Sequence, residues 1–129
     1  MITSNLSDEL KTKCKDVRKD IVKMIYSAGS GHPGGSLSAV EILTVLYFYE
    51  MHIKPGDPGW PERDRFILSK GHAAPLLYAI LAERGFIKIA DLETFNAPGS
   101  NLQKHLDMHL VPGVGLSTGS LGEGLSAAI

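Results

Sequence analysis

Ser27-Ala28-Gly29-Ser30-Gly31-His32-Pro33-Gly34-Gly35-Ser36 holds four glycines, one proline and one histidine in ten residues, between two strongly helical patterns. Glycine tolerates positive φ and close backbone approach. Proline fixes its own φ and turns the residue before it away from helix. The stretch therefore reads as a rigid, open turn that aims the His32 imidazole. Two loops of similar character follow, at Ser69-Lys70-Gly71-His72 and from Lys104 to Gly124. Each carries histidine among glycines, so the pattern predicts one site on a helical scaffold.

Working outward, Asp8 to Ala28 has apolar residues at helical spacing: Leu10, Cys14, Val17, Ile21, Met24, Ile25 and Ala28. Ser7 is positioned to cap this helix, with Asp8 and Glu9 at its positive end. Lys11, Lys15, Lys19 and Lys23 lie on the other face and read as solvated. On the other side, Ser38-Ala39-Val40-Glu41 has the form of a capping box for a helix to about Met51. Val40 to Tyr49 is nearly all apolar, which predicts burial on several sides and contact with another domain or subunit.

Lys54 to Asp64 is a loop rich in Pro and Gly. Arg65-Phe66-Ile67-Leu68-Ser69 has the composition of a short buried parallel strand. A helix is expected from about His72 to Arg84, with Pro75 in its first turn and Gly85 ending it. Ile89 to Phe95 reads as a further short helix. Asn96 to Thr118 is mostly loop, and a final helix begins near Leu125. One strand cannot make a sheet. The expectation is thus α/β: a mostly helical stretch with one short strand, whose remaining strands lie beyond Ile129.

The 129 residues suffice for one core, with 43% hydrophobic and 21% charged residues. A net charge of −1 gives no electrostatic case for nucleic acid or an anionic membrane. The lone Cys14 lies on the apolar stripe of the first helix and reads as packing in a reducing compartment. The polar start and short apolar runs make a cytoplasmic location the expectation, with no membrane span.

His72 sits at a helix start, where free backbone N–H groups favour an anion and an imidazole adds a donor. A phosphate or diphosphate is the ligand class expected there. His32 has a side chain that exchanges protons near neutrality. His105 and His109 have His-x-x-x-His spacing, but Leu106 stands where the zinc-protease pattern needs Glu, so no metal site is assigned. Gly113 to Gly119 misses the dinucleotide fingerprint, because Thr118 occupies its third glycine position.

At these residues the sequence resembles the transketolases, in their N-terminal, diphosphate-binding domain. Three motifs carry the likeness: Ser30-Gly31-His32-Pro33-Gly34-Gly35-Ser36-Leu37-Ser38, Phe66-Ile67-Leu68-Ser69-Lys70-Gly71-His72-Ala73, and Pro112-Gly113-Val114 with Ser117-Thr118-Gly119-Ser120-Leu121-Gly122. Their order and separations match over nearly the whole chain. The resemblance implies the N-terminal part of a three-layer α/β/α domain, with residues 1–129 an incomplete portion of it. It implies transfer of a two-carbon ketol unit from a ketose phosphate to an aldose phosphate through thiamine diphosphate. By motif, His32 and His105 would be the catalytic contacts to substrate, His72 would meet the cofactor's diphosphate, and Gly119, Ser120 and Leu121 would lie against its rings.

The family's divalent ion, Mg2+ or Ca2+, would find no ligands in this chain. The implied partners are sugar phosphates and a C-terminal transketolase subunit or domains, in a homo- or hetero-oligomer. Turnover by the chain alone is not expected. Lys104 and Leu106 depart from the family's Gly-His-Pro around its third histidine, and Glu123 stands where Gln is usual. Two other readings follow from the same residues: a deoxyxylulose-phosphate synthase-like fragment, and a non-catalytic interaction module that retains the fold.

Overall fold

A computed structural model describes residues 3–129. The first helix, α1, runs Ser4–Ala28 and is capped by Thr3, whose Oγ1 accepts from the Leu6 N–H at 3.3 Å. It therefore starts a turn earlier than the expected Asp8, and Ser7 lies within it. Leu10, Val17, Ile21 and Met24 form its buried stripe, as the spacing predicts. Gly29 ends it in the left-handed conformation.

Two of the expectations for the next segment need correction. The glycine-rich stretch is not wholly an open turn, because Pro33–Leu37 forms a short helix, α2, with His32 preceding it. Proline at the first helical position loses no helical hydrogen bond and is already set to a helical φ. The expected capping box does not form either. Helix α3 spans Val40–Val45 after Ala39, with no side-chain cap. Ser38 and Glu41 are taken by distant partners: the Ser38 hydroxyl meets Lys70, and Glu41 pairs with Arg18 of α1 at 2.5 Å.

A wide π-helical turn, Leu46–Glu50, extends α3 and brings the Met51 N–H to the Leu46 carbonyl at 2.8 Å. Such a turn loosens the ladder locally, and the Tyr47 carbonyl accepts from Arg84 Nε at 2.9 Å. Burial here is one-sided. Val40, Leu43, Thr44 and Tyr47 are buried, whereas Ile42 is 62% and Tyr49 42% exposed.

The expected strand at Arg65–Ser69 is absent, and no strand forms among the described residues. A strand requires a ladder partner. Here the Leu68 carbonyl accepts from a side chain, Thr118 Oγ1, at 2.6 Å. After a tight turn at Gly71–Ala73, helix α4 runs Ala74–Arg84 and Gly85 stops it at φ 92°. Every residue of α4 from Ala74 to Ala82 is buried, so this helix is the centre of the molecule. Helices α1 and α3, the turn Ile89–Thr94 and the loop residues Leu102, Leu106, Val111 and Val114 pack around it. Lys13 of α1 meets Glu83 of α4 at 2.7 Å. A final helix, α5, spans Glu123–Ala127.

Candidate functional site

The site grows from the end of α1. Gly29 releases the chain into the first loop, and α2 then fixes the backbone after His32. The second loop comes from Leu68 and delivers His72 in the turn that opens α4. The rings of His32 and His72 meet edge to face, with centroids 5.2 Å apart. His72 Nε2 lies 2.9 Å from where a Cβ on Gly35 would stand, so the imidazole packs directly on that glycine. Lys70 Nζ donates to the Gly35 carbonyl at 2.6 Å and to Ser38 Oγ at 3.0 Å.

The third loop lies against the second, backbone on backbone. A Cβ on Gly71 would fall 2.6 Å from the Thr118 carbonyl carbon and 2.8 Å from Gly119 N, so only glycine fits. Gly124, at the start of α5, touches Ser69 in the same way. His105 joins from the far side, its Cδ2 3.5 Å from the Cβ position of Gly119. Buried Tyr78 of α4 anchors that loop by donating its hydroxyl to the Gln103 carbonyl at 2.9 Å and the His105 carbonyl at 3.4 Å. Burial pushes the Tyr78 phenol up, so it stays a neutral donor. The first loop is held from one more side, where Asn96 Nδ2 donates to Ser30 Oγ at 3.1 Å.

His32 and His105 are exposed and His72 is half-buried. Gly119, next to the His105 ring, and Ser120 lie along a groove of about 360 Å³ shared with Thr118 and Glu123. The Leu121 side chain next in the chain is 71% exposed. The His109 backbone N–H donates to Asp107 Oδ1 at 2.8 Å, and no set of three metal-ligating side chains gathers among the described residues. A larger groove of about 710 Å³ beside Gly85, Thr94 and Ser100 touches none of the three loops' histidines. Lys70, Tyr78 and Asn96 are the residues that sequence reasoning missed. For Lys70 the signal was its place between Ser69 and the Gly-His pair. Nothing local marks the other two.

The model of the transketolase thiamine diphosphate binding domain matches residues 10–129. The chain belongs to this family. Over 121 residues it is 50% identical to a 6-deoxy-6-sulfo-D-fructose transketolase subunit of Clostridium sp. (strain MSTE9), covering 94% of this chain and 44% of that protein. It is 46% identical over 122 residues to the Homo sapiens transketolase, covering 92% of this chain and 19% of the human one. Among solved structures, transketolase from Leishmania mexicana superposes with a TM-score of 0.88 at 32% identity, over 92% of this chain and 18% of that one. The α/β transketolase fold expected from the motifs is thereby shown, with these residues forming a mainly helical part of it. The chain spans less than half the length of these relatives. Among the described residues no helix is long and apolar enough to cross a membrane.

The cluster suits an anionic, ring-bearing cofactor. It offers two imidazoles as donors, beside glycine backbone that lets a flat group approach closely.

Proposed function

We propose that this chain supplies the diphosphate-binding half of a transketolase site, which moves a two-carbon ketol unit between anionic sugars. The convergence of the three loops carries the reading: His32 on His72, His72 on Gly35, and Gly71 on Thr118 and Gly119. In this reading His72 donates to the cofactor's diphosphate. His32 and His105, both exposed, face the substrate, hydrogen-bond its hydroxyls and hold or return protons there. Gly119 and Ser120 bring backbone against the cofactor, and Leu121 offers it an uncovered apolar side chain. Bound thiamine diphosphate supplies a carbanion and an electron sink.

The substrates are sugar phosphates or, as the name of the clostridial relative suggests, sugars with another anionic end. A complementary subunit or domain completes the site in a homo- or hetero-oligomer, and the chain alone turns over little or nothing. Mg2+ or Ca2+ on the diphosphate takes its ligands from groups outside the described residues. Location in the cytoplasm fits this chemistry.

The test is a pair of variants in the complemented enzyme. His72→Ala removes one hydrogen bond to a charged group, about 1.5–3 kcal/mol, or about ten- to hundredfold in thiamine diphosphate affinity. His32→Ala leaves cofactor affinity near the parent value and lowers kcat/KM for the sugar. Equal losses of cofactor affinity in both variants overturn the assignment.

A further inference from the structure

The two histidines that meet at this site come from loops forty residues apart in sequence, and one side chain joins those loops by hydrogen bonds. Lys70 lies at the end of the second loop. Its carbonyl accepts the Ala73 N–H at 2.9 Å and so closes the turn that carries His72. Its ammonium reaches across to the first loop, to the Gly35 carbonyl at 2.6 Å and the Ser38 hydroxyl at 3.0 Å. The Ser38 hydroxyl itself donates to the Gly35 carbonyl at 3.1 Å, which closes a ring of three groups.

The place of this contact explains its effect. Gly35 lies in the last turn of α2, where carbonyls lack helical partners and a cation is favoured. Helix α2 holds only five residues, two of them glycine, so it has little stability of its own. His32 precedes that helix, and His72 rests on Gly35. A half-buried ammonium at the end of α2 therefore fixes the backbone beneath one imidazole and the direction of the other.

We propose that Lys70 is a positioning residue: it clamps α2 against the second loop and so sets the relation of His32 to His72 that the cofactor needs. The proposal rests on the functional reading of the two histidines given above. Lys70 acts through them, by geometry, and not as a remote positive charge.

The test uses the full chain for structure and the complemented enzyme for binding. In the wild-type chain an NOE between the His32 and His72 rings is expected. Lys70→Met should abolish it while helix content stays constant. Lys70→Arg, which keeps a cationic donor, should restore it. Thiamine diphosphate should bind the Lys70→Met enzyme about tenfold more weakly, as loss of a charge-assisted contact implies, with kcat at saturating cofactor changed less than about threefold. An undiminished NOE in Lys70→Met overturns the proposal, even where affinity falls, because the charge alone would then be responsible. Should Lys70→Met fail to fold, Lys70→Leu replaces it, and an NOE of wild-type intensity in that variant has the same meaning. Loss of the NOE in Lys70→Met, together with a wild-type enzyme that binds no thiamine diphosphate, supports the clamp and overturns the functional reading instead.

Discussion

Gly71→Ala places one methyl group where the structure leaves no space. Its Cβ would stand 2.6 Å from the Thr118 carbonyl carbon and 2.8 Å from Gly119 N, and closer still to the Thr118 oxygen. Those atoms are backbone, so no side chain can rotate out of the way. The third loop must move off the second, which is overpacking with a typical cost of about 1–3 kcal/mol. Unfolding entropy for a chain of 129 residues is about 270 cal/mol/K, so the Tm should fall by about 4–11 °C. Gly34→Ala is the control. It lies in α2, and no atom comes within 4 Å of its Cβ position. Gly→Ala at such a compatible site stabilises by about 0.4–1 kcal/mol, a rise of about 1–4 °C. Thermal unfolding of the two variants beside the parent gives the comparison. A Gly71→Ala chain within about 1 °C of the parent, or equal losses in both variants, would refute the backbone-on-backbone account of the site.

Two further perturbations probe the scaffold. Asp20 on α1 has a buried Oδ2 without a partner, and its carboxyl is held above its ordinary value of 3.8 by burial first and then by Glu83, with Lys23 opposing and Asp16 adding less. A raised carboxyl penalises the folded state once it ionises. Wild-type stability should therefore fall, relative to Asp20→Asn, as pH rises above that ordinary value, with no gap in Tm near pH 3 and the widest gap near pH 7. A gap independent of pH would contradict this. Tyr78→Phe removes the one hydroxyl that serves the Gln103 and His105 carbonyls. It should cost about 1–2 kcal/mol by denaturant titration and broaden the His105 ring resonances while leaving those of His32 sharp. Equal broadening at both histidines would show general loosening rather than a lost anchor.

Helical periodicity made α1 legible, and Gly85 marked the end of α4, because both signals are local and concern a single face or a single φ. What the sequence concealed was settled by contacts across long separations. Ser38 and Glu41 have the spacing of a capping box, yet Lys70 and Arg18 lie 32 and 23 residues away and take those side chains. The run Arg65–Ser69 has strand composition, but a strand is a property of two segments, and Thr118 Oγ1 holds the Leu68 carbonyl instead. Helix α2 was hidden by its glycines, and Pro33 at its first position was the only cue. The three histidine loops were legible as a candidate site because each signals itself by glycine and histidine together. Lys70 was not, since a lysine beside a loop ordinarily points to water.

The two departures around His105 have a physical reading of their own. Leu106 stands where the family pattern has proline, and it is buried in the core that surrounds α4. Proline there would fix the backbone through its ring; leucine fixes it through packing in the core cluster that also holds Val111, and the Tyr78 hydroxyl holds the adjacent His105 carbonyl. Lys104 replaces glycine on the residue between the two carbonyls that Tyr78 holds, and it remains half-buried. The loop is thus fastened on both sides of Lys104 by groups belonging to the core, and the His105 ring reaches Gly119 despite the changed neighbours. Core packing and the Tyr78 hydroxyl hold the His105 imidazole beside Gly119 with lysine and leucine as its chain neighbours.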